Sequence, residues 1–386
     1  MDEEVTLVFG GDFCPTEHVE SALRSLDNPS ELLGPAASLF RQSDLAIVNL
    51  EYPLTRVDKK LVKYGSHQKG CPETISVLKE AGVGLVSLAN NHILDFGAEG
   101  MADTVRTCEA AGIAIVGAGK TAGEAAMPYN ATIKGKRIAF LGICENEFST
   151  AKGGRGGANG LDPISNHYAI SEARSKADLV IVLFHGGNEF THYPSPRTMR
   201  TCRFFADSGA SAVICHHPHY VQGYEVYQGV PILYSLGKLL YTKMSDPDIL
   251  EIPVARVSFS SSRQETAVDF EFFQLSLQQM RLVAMTEDKA TAMNERFRGY
   301  SEALASEEII LKKWNEYCKK REYIYLALAL SINPLVYRFA RRIGVERFVK
   351  RYALLKKKEL LTLENLIRCE SHQEALLHIL EGIHSQ

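Results

Sequence analysis

The first 240 positions carry apolar residues in short runs rich in β-branched side chains. The runs are Val5–Phe9, Leu45–Val48, Val83–Leu88, Ile113–Val116, Ile138–Ile143, Leu179–Phe184, Ala212–Cys215 and Pro231–Tyr234. Continuous rather than alternating apolar runs of this length predict strands buried on both faces. Between many of them lie stretches with helical character, among them Glu73–Ala81, Gly100–Ala111 and Ser195–Ser208. The β-α-β rhythm predicts an α/β fold with buried sheets. Residues 252–275 read as two further strands joined by a turn at Ser260–Arg263. From about residue 286 strand signals stop and helix formers run to the end, so the expected division is 1–285 and a helical 286–386.

The helical part has its own charge pattern. Over 335–358 nine basic residues, from Arg338 to Lys358, face Glu346 alone, a local net charge of +8. Val336, Phe339, Ile343 and Val349 are spaced to fall near one helical face. Two readings stand: an amphipathic helix lying on an anionic membrane surface, or a helix packed on the main domain with a solvated basic face. The apolar run Tyr323–Tyr337 is 15 residues long, contains Pro334 and is too short to span a bilayer.

Composition narrows the class. Hydrophobic residues at 45% and charged residues at 23% are globular values, which excludes a disordered or collagen-like chain. The net charge of −3 gives no global basic field, so nucleic acid is not expected as a partner. Eight scattered cysteines without a CxxC pair indicate neither a disulfide framework nor a zinc ribbon. The start Met1-Asp2-Glu3-Glu4 is acidic and lacks the basic and apolar regions of a secretory signal. The expected location is cytoplasmic, with a peripheral position on the inner face of the membrane as the second option. The glycine-rich segment Lys152–Gly160 reads as a loop, since it lacks the Gly-Lys-Ser/Thr ending of a phosphate cradle.

Residues of metal-ligand type follow the strands: Asp12, Glu51, Asn90-Asn91-His92, His185 and His216-His217-Pro218-His219. Each alone has an ordinary structural explanation, such as a turn at Asp12 or a buried histidine at 185. Their shared place, just past strand ends, is where open α/β sheets bind ligands. Oxygen and imidazole donors without thiolates suit a divalent ion, one or two of Mn, Fe or Zn. Two ions can share a hydroxide that attacks phosphorus in line.

The ordered set resembles the CapA family of capsule and poly-γ-glutamate synthesis proteins. The residues that carry the resemblance are Gly11-Asp12, Asn49–Thr55, Ser87–His92 with Asp95 and Gly97, His185-Gly-Gly with Glu189, His217-Pro-His219 with Gln222 and Glu225, and Ile232–Gly237. The resemblance covers about residues 5–245. It implies a calcineurin-like metallophosphoesterase sandwich in α-β-β-α layers, with the C-terminal helices as an extension. It implies that Asp12 and His219 hold a first metal, that Asn91, His185 and His217 hold a second, and that Glu51 bridges them. His92 is then free of metal and catalytic, donating a proton to the leaving oxygen or stabilising the transferring phosphoryl, with Asp95 either orienting its ring or capping a helix. Asn49, Glu189, Gln222 and Glu225 are expected at the substrate. Glu189 and His192, Arg155, and Tyr64, His67 and Lys69 are weaker candidates for the pocket wall.

The chain also departs from the pattern. The superfamily's usual histidine two residues after the first aspartate is Cys14 here, expected to be buried and not a ligand. The family's closing Ser-Leu-Gly-Asn has Lys238 in place of the asparagine, expected to be a surface lysine, with contact to an anionic substrate as the second reading, and the N-terminal membrane anchor typical of the family is not expected here. The function these residues imply is a metal-dependent hydrolase, phosphoesterase-like, of an anionic polymer or phosphoester substrate. It would act in capsule, exopolysaccharide or poly-γ-glutamate synthesis, with a metal-activated hydroxide as nucleophile and His92 assisting. The alternatives are a non-catalytic assembly or polymer-binding factor at the membrane, and a metal-dependent γ-glutamyl amide enzyme.

Overall fold

A computed structural model describes residues 4–241, 250–260 and 266–329, with isolated positions 338, 339, 342–344, 367 and 373 beyond. The chain opens with β1 (Val5–Phe13), α1 (Glu17–Leu23), α2 (Ala36–Gln42), β2 (Leu45–Leu50), α3 (Ile75–Glu80), β3 (Val83–Ser87), α4 (Gly97–Ala111) and β4 (Ala114–Val116). A middle section follows with β5 (Ala118–Gly119), α5 (Ala122–Ala126), β6 (Tyr129–Ile133), β7 (Lys136–Cys144), β8 (Gly157–Ala158), α6 (Pro163–Lys176) and β9 (Leu179–His185). Then come α7 (Pro196–Asp207), β10 (Ala212–His216), β11 (Tyr224–Tyr227), β12 (Val230–Leu233) and β13 (Lys238–Leu240). The remaining elements are β14 (Glu251–Phe259), β15 (Thr266–Ser276), β16 (Arg281–Ala284), α8 (Glu287–Ala303) and α9 (Glu307–Ala329).

The strands form two main sheets. The first has eight strands in the order β16-β15-β14-β1-β2-β3-β4, with β13 added on β1. The second has six in the order β11-β12-β10-β9-β7-β6. In each, the strands bearing the candidate ligands run parallel, β1 with β2 and β3 in one sheet and β9 with β10 in the other.

Three hydrophobic cores define the layers. Leu7, Phe9, Ile47 and Leu85 of the first sheet meet Phe140, Ile181, Leu183 and Ile214 of the second in the middle core. The opposite face of the first sheet packs Val8, Val48 and Val86 with Phe40 of α2, Leu78 of α3 and Met101 of α4. The opposite face of the second packs Val182, Phe184 and Val213 with Ile170 of α6 and Met199, Cys202 and Phe205 of α7. The central strands face apolar neighbours on both sides, which is why they read as continuous hydrophobic runs. The architecture is the α-β-β-α sandwich that the resemblance implied.

Helix α7 shows the local logic. Ser195 accepts a hydrogen bond from the Thr198 amide at 3.1 Å, Pro196 takes the first turn, and Thr198, Cys202 and Phe205 form one buried stripe. Among the described residues the last strand ends at Ala284, but the first compact unit extends from Met1 to Leu311. The reason is α8, whose Met293 and Phe297 are buried with Val221 and Phe272, and whose Phe297 ring lies 4.5 Å from that of Phe270. The second unit, Lys312–Gln386, is helical as far as Ala329. Most of the basic segment 335–358 lies outside the described residues, and of its apolar positions Phe339 and Ile343 are described and exposed. The expected turn at Ser260–Arg263 also lies outside them apart from Ser260. No helix among the described residues is long and apolar enough to cross a membrane.

Candidate metal centre

The parallel strands end side by side, and their register sets the site. Asp12 on β1 pairs in register with Asn49 on β2, and His216 on β10 pairs with His185 on β9. The two sheets are tied at this edge by His216, whose Nε2 lies 3.1 Å from the Gly10 carbonyl. That bond gives His216 a structural role and leaves His217 and His219 to turn toward the cluster. They do so with positive φ angles of 97° and 62°. Such angles cost a non-glycine residue on the order of 1–3 kcal/mol each and gather at functional sites.

Two ligand groups result. Asp12, Glu51 and His219 form one, and Glu51, His185 and His217 form the other, with donor atoms in each group within 4.8 Å of one another. Glu51 belongs to both, as a bridging carboxylate would. Asn91 joins the second: His185 Nε2 lies 3.1 Å from Asn91 Oδ1 and 3.1 Å from His217 Nδ1. Donor atoms that bind one ion at about 2.1 Å sit ~3 Å apart, so these three positions fit a coordinated cation. Glu189 also reaches the cluster, 3.5 Å from His219 Nε2, and makes a third possible group with His217 and His219.

Asn49, expected at the substrate, instead orients the ligands: its Nδ2 donates to Asp12 Oδ1 at 2.7 Å and lies 3.2 Å from His185 Nδ1. Asn90 fixes the strand-to-loop turn by donating to the Leu50 carbonyl at 2.9 Å and accepting from the His92 amide at 3.1 Å. The ring of His92 lies against Tyr52 and presents Nε2 3.9 Å from Glu51. Its Nδ1 sits 2.7 Å from Asp95 Oδ2. Of the two roles open to Asp95, the orienting one is the one built, because no side chain caps α4 at Phe96. Asp95 is fully buried and is further held by the Gln68 amide at 2.7 Å and by Lys63. The loop carrying Tyr64, His67 and Lys69 is thereby fastened to the His92–Asp95 pair, with Lys69 engaged by Asp58 at 2.6 Å. Gln222 donates to the Thr191 carbonyl at 2.8 Å, and its buried Oε1 has no hydrogen-bond partner among the described residues. Glu225 is not brought to the cluster: Arg203 holds it at 2.9 and 2.7 Å, and Tyr234 at 2.6 Å. Arg155 donates to backbone carbonyls of its own loop.

Two further residues complete the site. Cys14 is buried, as expected, and its thiol donates to Glu51 Oε2 at 2.7 Å. Lys238 corrects the sequence reading. It is not a surface lysine but 4% exposed, because β13 adds to β1 with Lys238 in register with Asp12. Its Nζ lies 3.6 Å from Glu51 Oε2 and 3.5 Å from His219 Nε2. Gly11 makes this approach possible, since a Cβ there would stand 2.3 Å from the Gly237 carbonyl.

The electrostatics follow from these contacts. Burial and the neighbouring Glu51 push the Asp12 carboxyl up, but the His219 hydrogen bond and the imidazoles around it outweigh them and hold it below the usual range. Burial also opposes ionisation of Glu51, but Lys238, His219 and His92 hold it well below the carboxylate range. Burial and His217 push His185 well below the usual histidine value, which leaves it the neutral imidazole a metal needs. For His219, burial and Lys238 are outweighed by Glu51, Asp12 and Glu189, and its pKa is raised to about 9. Burial alone would lower the Lys238 ammonium, but the carboxylates of Glu51 and Asp12 raise it above the ordinary lysine value.

Comparison with known proteins agrees with the motifs. The family model described as "Bacterial capsule synthesis protein PGA_cap" matches residues 6–243. The chain is 30% identical over 249 residues to the "Capsule biosynthesis protein CapA" of Bacillus anthracis, covering 62% of this chain and 60% of that one. It is 32% identical over 251 residues to the "PGA biosynthesis protein CapA" of Bacillus subtilis (strain 168), covering 62% of this chain and 64% of that one. The chain thus spans under two thirds of the length of these relatives. A solved structure described as a novel phosphatase from Mycoplasma pneumoniae aligns over 70% of this chain and 94% of its own, with a TM-score of 0.46 and 14% identity. That likeness is too distant to carry chemistry across. The match from strand β1 through β13, together with the curated relatives, shows that the chain belongs to the bacterial capsule synthesis protein family, the CapA family whose motifs it bears.

Proposed function

We propose that the chain is a metal-dependent hydrolase, phosphoesterase-like, acting on an anionic polymer or phosphoester in capsule or poly-γ-glutamate synthesis. The observation that carries this reading is the pair of ligand groups sharing Glu51, with His92 beside them. A divalent ion in such a site activates water for attack and neutralises developing charge. The chain's residues do the rest. Asn49 orients Asp12 and His185, so the ligands are held before an ion arrives. His92 Nε2 faces the cluster while Asp95 holds Nδ1, which fits it to give a proton to a leaving oxygen. Glu189, with half of its side chain open to solvent, and the unsatisfied Gln222 Oε1 offer polar contacts to a substrate.

The test joins metal content to turnover. Elemental analysis of the purified chain should find Mn, Fe or Zn, and a phosphoester panel should show metal-dependent hydrolysis. His217→Ala should remove the ion and the activity while circular dichroism stays unchanged. Unchanged metal content in that variant would sink the ligand assignment. Metal with no turnover on any phosphoester would favour the second reading, an assembly or polymer-binding factor. The specific observation behind that reading is the lysine lodged among the ligands.

A further inference from the structure

Among the described residues Lys238 is the one buried lysine of the cluster, and the proposed hydrolysis does not use it. Its place is fixed by the fold rather than by a flexible side chain finding a partner. Strand β13 pairs in parallel with β1, Asp12 donates its amide to the Gly237 carbonyl at 2.9 Å, and Lys238 stands in register with Asp12. The ammonium then lies 3.6 Å from Glu51 Oε2, 3.5 Å from His219 Nε2 and 3.5 Å from Cys14 Sγ. The ring of Tyr241 closes over it with Nζ 4.4 Å from the centroid, a cation–π contact that keeps a positive charge in place.

Of these neighbours His219 belongs to the Asp12 group and not to the group of His185, while Glu51 is shared by both. Both stand with Asp12 in the first group, and Cys14, two residues after Asp12, donates its thiol to Glu51. Cys14 supplies no thiolate there, because its thiol donates to Glu51. On the other side, among the described residues, no lysine or arginine pairs with Asn91, His185 or His217. A divalent ion bound by Asp12, Glu51 and His219 would sit within a few ångströms of a buried ammonium, and like charges so close repel strongly in a poorly screened site. We propose that the Lys238 ammonium takes the place of one of two metal ions, so that this chain holds a single divalent ion at Glu51, Asn91, His185 and His217. The lysine then supplies the fixed positive charge that an ion would otherwise supply beside Asp12 and Glu51.

This inference rests on the metal reading above, and the experiment separates the two. Metal per chain is measured by elemental analysis for the full chain, Lys238→Asn and Lys238→Arg, each incubated with Mn or Zn and desalted. Asparagine removes the charge and offers an oxygen, while arginine keeps the charge. One equivalent is expected in the unaltered chain and in Lys238→Arg, rising to two in Lys238→Asn. Lys238→Met, close in length, replaces Lys238→Asn if the asparagine variant does not fold, and should also gain metal. Two equivalents in the unaltered chain would overturn the inference and leave the metal reading intact. One equivalent in every variant would overturn it too, since the lysine would not be what excludes the second ion. No metal in any of them would defeat the metal reading itself, and this inference with it.

Discussion

His219 is pulled two ways. In the metal-free chain it carries a proton between Asp12 at 3.2 Å, Glu51 at 3.7 Å and Glu189 at 3.5 Å, whereas a metal ligand must give that proton up. Its folded pKa of about 9 lies above the ordinary 6.5, so its contribution to stability is complete below pH 6.5 and is lost as pH rises through 9. His185 is shifted the other way, so its own loss of stability comes as pH falls below 6.5. Cys14 and Cys71 begin to matter only above pH 9. Among the groups with a clear shift, His219 is the one that acts between 6.5 and 9. Thermal unfolding of the chelator-treated chain should show its midpoint falling across that window, and His219→Gln should flatten the slope. An equal slope in the variant would show that the proton resides elsewhere. At this scale most members of the candidate cluster were legible in the sequence, because each follows a strand and no packing role explains all of them. Lys238 was not, although its departure from the family's asparagine was visible. Nothing local tells that a lysine after Ser-Leu-Gly will pair in register with Asp12, more than two hundred residues earlier in the chain.

Elements with strong periodicity were legible, and those without it were not. The expected strands over Val5–Phe9 and Leu179–Phe184 are found as Val5–Phe13 and Leu179–His185, each carried on to its candidate ligand. Helix α6 gives no such signal, because Ile164 and Tyr168 are exposed while Ile170 and Ala173 are buried, so its apolar residues do not share a face. Strand β13 is three residues long and directly follows Gly237, too short for a pattern of its own. What holds it on β1 is the close backbone approach at Gly11, where an added Cβ would meet the carbonyls of Gly237 at 2.3 Å and Leu236 at 2.6 Å. Both obstacles are backbone, so no side chain can swing aside. Gly11→Ala should therefore push β13 off β1 and cost about 1–3 kcal/mol, read as a lower urea midpoint. It should also weaken metal binding, since Asp12 is the next residue. An unchanged midpoint would mean that the two strands are not packed as closely as this register requires.

At the scale of the whole molecule, composition marks where the strands stop but not where the compact unit stops. The chain turns helical after Ala284, yet Met293, Phe297, Leu304 and Ile310 are all buried, and the first unit closes only at Leu311. The amphipathic pattern of α8 is weak in sequence because few positions carry the contact, Phe297 above all. This changes how the basic segment should be tested. A cut near residue 286 would strip α8 from its aromatic cluster and confuse unfolding with loss of binding. A cut after Leu311 keeps the first unit whole and removes all of 335–358, with its net charge of +8. Clustered lysines and arginines gain about 1 kcal/mol each near an anionic bilayer, and that attraction falls off within a Debye length. If the segment lies on lipid, the full chain should sediment with vesicles rich in phosphatidylglycerol at low salt and release as salt is raised. The chain ending at Leu311 should stay in the supernatant, and neither should bind vesicles of phosphatidylcholine alone. Equal sedimentation of the two chains would dismiss the membrane contact and leave the basic face to solvent or to another protein.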